Sequence, residues 1–206
     1  MSTDTAPAFN ELETAAQAVI AALKTMPEFS GAKILVIGGL GLWKYLRQYR
    51  TTEDVDFLIT VQGAPKAVKD KLLAMPSSPF QQRAQDFVLK APNGKQIQID
   101  MTPDWQSPYV PPAALPISDV QTGFLPYISE LDLLVFKINC CGLRSTAVKK
   151  IRDANDARTL LEDIRSQGSI SLSPLQKNAV LAGLEDVVKL TRGGDMAWWK
   201  SQLGLN

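Results

Sequence analysis

The sequence of 206 residues contains no histidine. Without an imidazole, the chain cannot form a serine or cysteine catalytic triad, use a histidine general base or build the common imidazole-containing zinc sites. Any chemistry that it carries out must therefore use carboxylates, lysine, arginine, hydroxyl groups or a metal ion held by oxygen atoms.

Cysteine, net charge and long apolar runs are also scarce. The two cysteines, Cys140 and Cys141, are adjacent, which predicts free thiols in a reducing compartment. The formal net charge of +1 argues against a basic coat for a long nucleic acid. No run reaches the roughly 18 consecutive apolar residues of a membrane span, and the N-terminus lacks the basic region of a signal peptide. These features predict a cytoplasmic protein without a membrane partner.

The first half of the chain alternates between strand and helix patterns. Short apolar runs rich in β-branched residues predict buried strands, and apolar residues repeated at helical spacing predict amphipathic helices. Asn93-Gly94 favours a tight antiparallel hairpin between the last two strands. The strands are predicted at 33–37, 55–61, 86–90 and 96–101, and the helices at 12–23, 42–49 and 65–75.

The second half of the chain is predicted to be helical. The prolines of segment 102–116 indicate an extended, irregular connection, and Ser129 followed by Asp132 is a helix-capping signal. Helices are predicted at about 131–138, 146–165, 174–190 and 195–203. We therefore expect an α+β protein, with a mixed sheet flanked by helices in a domain over 1–116 and a C-terminal helical bundle in a domain over 117–206.

Three aspartates predict a metal site. Asp54 and Asp56 lie at the start of a strand. Side chains alternate between the two faces of a strand, so residues two positions apart direct both carboxylates to one face. Asp100 ends a later strand, and we expect an antiparallel neighbour to bring it beside the pair. Because like charges buried together require a neutralising cation and hard cations prefer oxygen ligands, the set favours Mg²⁺ or Mn²⁺. The alternatives are solvated strand-entry carboxylates and, for Asp100, a loop cap.

Gly38 and Gly39 predict an anion site. They lie between a strand and a helix, where the N–H groups of a helix N-terminus favour an anion such as a triphosphate. Lys44 and Arg50 follow closely and can pair with phosphate oxygens. The alternatives are a tight turn for the glycines and a structural ion pair for Arg50.

These motifs together resemble the signature of the DNA polymerase β-type nucleotidyltransferase superfamily. The pattern is Gly38-Gly39, ten further residues, and then Arg50-Thr51-Thr52-Glu53-Asp54-Val55-Asp56. It is most similar to the branch of AbiEii-like toxins and minimal nucleotidyltransferases. The resemblance implies a nucleotidyltransferase-like fold with catalytic, metal-binding Asp54, Asp56 and Asp100, and with nucleotide contacts from Gly38, Gly39, Lys44, Arg50, Thr52 and Lys137.

The resemblance implies metal-dependent transfer of a nucleoside monophosphate from an NTP to a hydroxyl acceptor, with release of pyrophosphate. The low net charge favours a small molecule or a protein over tRNA as acceptor. Leu40 stands where many members have serine. A second hypothesis is therefore a lapsed scaffold that binds nucleotide or protein. Instead of binding nucleotide, Thr52 could cap a turn, and Lys137 could pack its aliphatic stem in an apolar helix. The base and the oligomeric state are left open.

Overall fold

The computed structural model describes residues 6–84 and 86–205, and the chain divides into two units, Met1–Ile128 (unit 1) and Ser129–Asn206 (unit 2). The described part of unit 1 contains α1 (Phe9–Lys24), β1 (Lys33–Ile37), α2 (Gly38–Tyr45), β2 (Asp54–Ile59), α3 (Lys66–Leu73), β3 (Phe80–Arg83), β4 (Asp86–Lys90), β5 (Gln96–Pro103) and β6 (Leu115–Pro116). The described part of unit 2 contains α4 (Glu130–Cys140), α5 (Ala147–Gln167), α6 (Pro174–Leu190) and α7 (Met196–Gln202). The predicted α+β class is confirmed.

The strands form one mixed sheet in the order β3-β4-β5-β2-β1-β6. β2 and β5 are parallel, whereas the other four strand pairs are antiparallel. The prediction that an antiparallel neighbour carries Asp100 is therefore wrong. Parallel neighbours need a long crossover connection. The chain provides it through α3, β3 and β4, and the predicted β4–β5 hairpin then returns β5 alongside β2.

Alternating side chains divide the sheet into an apolar face and a polar face. In β5, Ile97 and Ile99 are buried in the core of unit 1, whereas Gln98 and Asp100 are half-buried on the opposite face. The apolar face packs against α1, whose buried residues repeat at helical spacing. Ile117, Val120 and Leu125 belong to the same core. Burial of the apolar face leaves the other face of β2 and β5 to carry polar groups.

The element bounds differ from the prediction mainly after β1. The predicted helix over 42–49 instead begins at Gly38 and ends at Tyr45. Gly38 has a φ of +66°, a left-handed conformation that glycine adopts at low cost. The strand thus turns into the helix within one residue. The short edge strands β3 and β6 had no distinct sequence pattern.

In unit 2, capping side chains define the helix starts. The hydroxyl of Ser129 accepts a hydrogen bond from the backbone of Asp132, as predicted, and Ser173 forms a capping box with Gln176. Gly183 lies where α6 crosses α4, and a Cβ there would overlap the backbone of α4. None of the helices in the described residues is long and apolar enough to span a membrane.

Glu130, the first residue of α4, has an unusual carboxyl group. Its Oε1 is buried without a hydrogen-bond partner in the part of the chain that the structure describes. Burial, followed by the neighbouring carboxyl group of Asp163 on α5, raises the pKa of Glu130 from 4.5 to about 7. The folded chain therefore favours the protonated form of this group.

We expect Glu130 to make stability depend on pH. Because its pKa is higher in the folded chain than in the unfolded chain, the folded chain binds more protons between about pH 4.5 and 7, and stability falls as the pH rises through this window. The Glu130→Gln variant should flatten this dependence and, since the site is partly exposed, be more stable than wild type at pH 8 by only about 1 kcal/mol. Urea unfolding from pH 4.5 to 8 measures the effect. Glu185→Gln, at an exposed position, is the matched control; an unchanged pH profile for Glu130→Gln would contradict the assignment.

Candidate active site

The parallel pairing of β2 with β5 brings the three predicted aspartates together. Asp54 and Asp56 lie on one face of β2, and the register places Asp56 beside Asp100 and Asp54 beside Gln98. One carboxylate oxygen from each aspartate lies within 4.8 Å of the corresponding oxygens of the other two. The structure thus forms the carboxylate cluster that the sequence predicted.

Neutral hydrogen-bond donors hold each of the three carboxylates. The hydroxyl of Thr52 donates to Asp54 Oδ1, and the N–H of Gly39 donates to Asp56 Oδ2 at 3.3 Å. The side-chain amide of Gln98 donates to Asp100 Oδ2 at 2.8 Å. Such donors orient a carboxylate without bringing a compensating charge.

The electrostatics of the cluster suit a cation. Burial raises the pKa of Asp100 above its ordinary value, and the charges of Asp54 and Asp86 raise it further, while the hydrogen bond from Gln98 and the charge of Lys69 oppose the rise. The ionised cluster is therefore costly by itself. A divalent cation would remove that cost, and three carboxylate oxygens are the ligands that Mg²⁺ and Mn²⁺ prefer. The residues present fit such an ion.

Gly38 and Gly39 allow the first turn of α2 to approach β2 closely. A Cβ on Gly38 would overlap the carboxylate of Asp56, and a Cβ on Gly39 would overlap the side chain of Thr52. The positive end of the helix dipole then lies against the carboxylate of Asp56 and stabilises its charge. Since the N–H of Gly39 already binds Asp56, the predicted phosphate contacts of the two glycines stay a prediction.

The fold matches that of a solved structure over nearly the whole chain. An antigenic nucleotidyltransferase-like protein from Paracoccidioides brasiliensis has a TM-score of 0.62 and 19% sequence identity, over 95% of this chain and 93% of its own. The chain has the nucleotidyltransferase fold. MenT4, a nucleotidyltransferase toxin from Mycobacterium tuberculosis H37Rv, is more distant, with a TM-score of 0.41 and 17% identity over 93% of this chain and 80% of its own. The sequence matches no protein-family model and no curated protein.

Two basic residues predicted to bind nucleotide have contacts of their own in unit 1 of this nucleotidyltransferase fold. The ammonium of Lys44 lies 4.0 Å from the ring centroid of Tyr127, which is a cation–π contact. Burial lowers the pKa of Lys44, and the negative charge of Glu13 opposes this decrease. Arg50 Nη1 donates to the backbone oxygen of Thr51 at 3.1 Å, in addition to its other interactions. Phosphate binding by Lys44 and Arg50 stays a prediction.

Lys137 lies in a buried ion-pair cluster of unit 2. Its ammonium is 2.6 Å from Asp153 Oδ1 and 2.9 Å from Asp156 Oδ2, and the lysine is 3% exposed. Burial lowers the pKa of Lys137, but the charges of Asp153 and Asp156, together with Cys140 and the hydrogen bond to Asp153, raise it above its ordinary value. Arg144 also pairs with Asp153. The head of Lys137 is thus held by carboxylates instead of reaching solvent, and its predicted nucleotide contact stays a prediction.

Gln98 is a site residue that the sequence interpretation missed. It precedes Asp100 by two residues, so the alternation of the strand already places both side chains on one face. That spacing was the available signal. A glutamine beside aspartates is not by itself a metal-site signal, because its side chain neither titrates nor carries charge.

Proposed function

We propose that the protein is a metal-dependent nucleotidyltransferase that moves a nucleoside monophosphate from an NTP to a hydroxyl acceptor and releases pyrophosphate. The observation that carries the proposal is the register that places Asp100 beside Asp56, within a nucleotidyltransferase fold. It groups three carboxylates from two strands at the start of α2. The motif resemblance to AbiEii-like and minimal nucleotidyltransferases supports the same assignment.

Each residue has a proposed role in the transfer. Bound Mg²⁺ or Mn²⁺ would neutralise the phosphate charge and polarise the reacting oxygens. Asp54, Asp56 and Asp100 would hold the ion, and Asp100 would also accept the proton of the acceptor hydroxyl. The N-terminus of α2, at the Gly38-Gly39 turn, would offer the triphosphate a positive electrostatic potential. Arg50 steadies the charge that develops on the transferred group.

The acceptor is proposed to be a hydroxyl of a small molecule or of a protein. A long nucleic acid is held mainly by phosphate contacts with lysine and arginine. The 22 basic residues of this chain are almost balanced by 21 acidic ones. This charge balance makes tRNA a less favoured acceptor than a small molecule or a protein.

The test is an incorporation assay with each α-labelled NTP. The protein is incubated with Mg²⁺ or Mn²⁺, alone and with fractionated cell extract, and pyrophosphate release is followed together with mass spectrometry of proteins and small molecules. We expect one nucleotide to give label transfer with stoichiometric pyrophosphate and at least a hundredfold loss in EDTA, on the order of what metal-assisted charge stabilisation contributes. Transfer that persists in EDTA would refute metal dependence.

A second candidate function is a nucleotide-binding module without transferase activity. The observation that favours it is Leu40, whose fully buried side chain offers no hydroxyl directly after the glycine pair. Calorimetry separates the two functions. Mg²⁺-dependent binding of ATP or CTP without pyrophosphate release over the whole acceptor panel would favour the module.

A further inference from the structure

Gln98 occupies a defined place between two of the three aspartates. It pairs with Asp54 across the β2–β5 ladder and precedes Asp100 by two residues on the same face. Its side chain is half-buried, and its amide nitrogen lies 2.8 Å from Asp100 Oδ2. The orientation of the amide follows from charge, since the opposite orientation would direct its carbonyl oxygen at a carboxylate.

The chemical type of this side chain matters for a cation site. A lysine at this position would pair with Asp100 and neutralise the charge that a cation needs. A glutamate would add a fourth negative charge, and an aliphatic residue would leave Asp100 Oδ2 without its donor. Glutamine restricts the rotation of the carboxylate and keeps its full charge, which is how residues behind a metal ligand set its direction.

We infer that Gln98 is a positioning residue that orients Asp100 for a divalent cation. The inference rests on the proposed function, in which Asp100 is a metal ligand and proton acceptor. Gln98 itself touches neither nucleotide nor acceptor in this role. It acts only through the carboxylate that it holds, and the affinity for the cation is the quantity that it sets.

The test is Mn²⁺ binding by the nucleotide-free protein, followed by electron paramagnetic resonance of free Mn²⁺ and by calorimetry. We expect Gln98→Met to weaken Mn²⁺ binding about tenfold, the lower range for loss of a hydrogen bond to a metal ligand. Gln98→Ala is a second variant that places no apolar atoms against the carboxylate. Gln96→Met, at the exposed end of the same face of β5, is the matched control and should bind Mn²⁺ as wild type does.

Thermal unfolding in EDTA separates positioning from general packing. A positioning role leaves the midpoint of both Gln98 variants near that of wild type without metal, and saturating Mn²⁺ restores the kcat of nucleotide transfer to within about threefold. A packing role would lower the midpoint in EDTA and leave the Mn²⁺ affinity of the folded protein unchanged. That second pattern overturns the inference.

The remaining outcomes distinguish this inference from the proposed function. Wild-type Mn²⁺ affinity in both Gln98 variants overturns the inference and leaves the transferase assignment standing. Failure of the wild-type protein to bind Mn²⁺ also overturns it. Weakened binding in the variants, together with no nucleotide transfer by wild type, supports the positioning role and refutes the transferase.

Discussion

The Asp56→Asn variant is expected to lose nucleotide transfer by at least about a thousandfold, since the proposed active site loses a carboxylate that would hold the charge-stabilising cation. Asparagine keeps the shape of the side chain, and its amide oxygen can still accept the hydrogen bond from the N–H of Gly39. The variant also removes one of three neighbouring negative charges. Its fold should therefore be intact, with a metal-free melting temperature equal to or above that of wild type.

Asp86→Asn is the matched control for this experiment. Asp86 is an exposed aspartate at the start of β4, and its charge raises the pKa of Asp100 without being part of the carboxylate cluster. We expect it to retain transfer within about threefold, because the charge of Asp86 is exposed to screening solvent and is the last of the named influences on Asp100. Incorporation of labelled nucleotide is the measurement. Unchanged incorporation in Asp56→Asn would remove the proposed active site.

The Lys137→Met variant is expected to lose about 3 to 5 kcal/mol of unfolding free energy, the usual cost of leaving buried charge without its partner. Asp153 and Asp156 are both buried and lie on the same turn of α5, within 2.9 Å of the lysine ammonium. Methionine fills a similar volume but supplies no charge. Arg144 also pairs with Asp153, and this ion pair does not involve the lysine.

Lys177→Met, which alters an exposed lysine of α6, controls for the loss of a charged side chain. It should change the unfolding free energy by no more than about 0.5 kcal/mol. Denaturant unfolding measures both variants. A Lys137→Met protein whose unfolding free energy is within about 1 kcal/mol of wild type would contradict the expected contribution of the ion-pair cluster to stability. Calorimetry with NTP on folded Lys137→Met tests the separate prediction of a phosphate contact.

Local patterns predicted most of the helices and strands. The Ser129 and Ser173-Pro174 signals gave correct helix starts, and the Asn93-Gly94 hairpin was found because turn chemistry depends on adjacent residues. The edge strands β3 and β6 could not be predicted in the same way. They have four and two residues, too few for periodicity to be visible.

The sequence predicted which aspartates form the candidate site, but it did not predict how the strands bring them together. Asp54 and Asp56 share one face of β2 because side chains alternate along a strand, which the sequence alone shows. The placement of Asp100 depended on strand direction, which was predicted as antiparallel and is parallel. The hydrogen bond from Gly39 to Asp56 likewise follows from the packing of α2 on β2, whereas those from Thr52 and Gln98 join residues two positions apart.

The sequence by itself limited the chemistry open to this protein: without histidine, the groups available are carboxylates, lysine, arginine, hydroxyl groups and oxygen ligands for a metal ion. It also determined the local elements, because capping, turns and periodicity act over a few neighbouring residues. Only the tertiary structure decided that Asp56 meets Asp100, that Gln98 holds Asp100, and that Lys137 is held by Asp153 and Asp156. Asp56 and Asp100 are 44 positions apart and meet through the sheet register, and Lys137 meets its two aspartates through the packing of α4 against α5. Gln98 and Asp100 share a face by strand alternation, but the hydrogen bond between them appears only in the folded sheet.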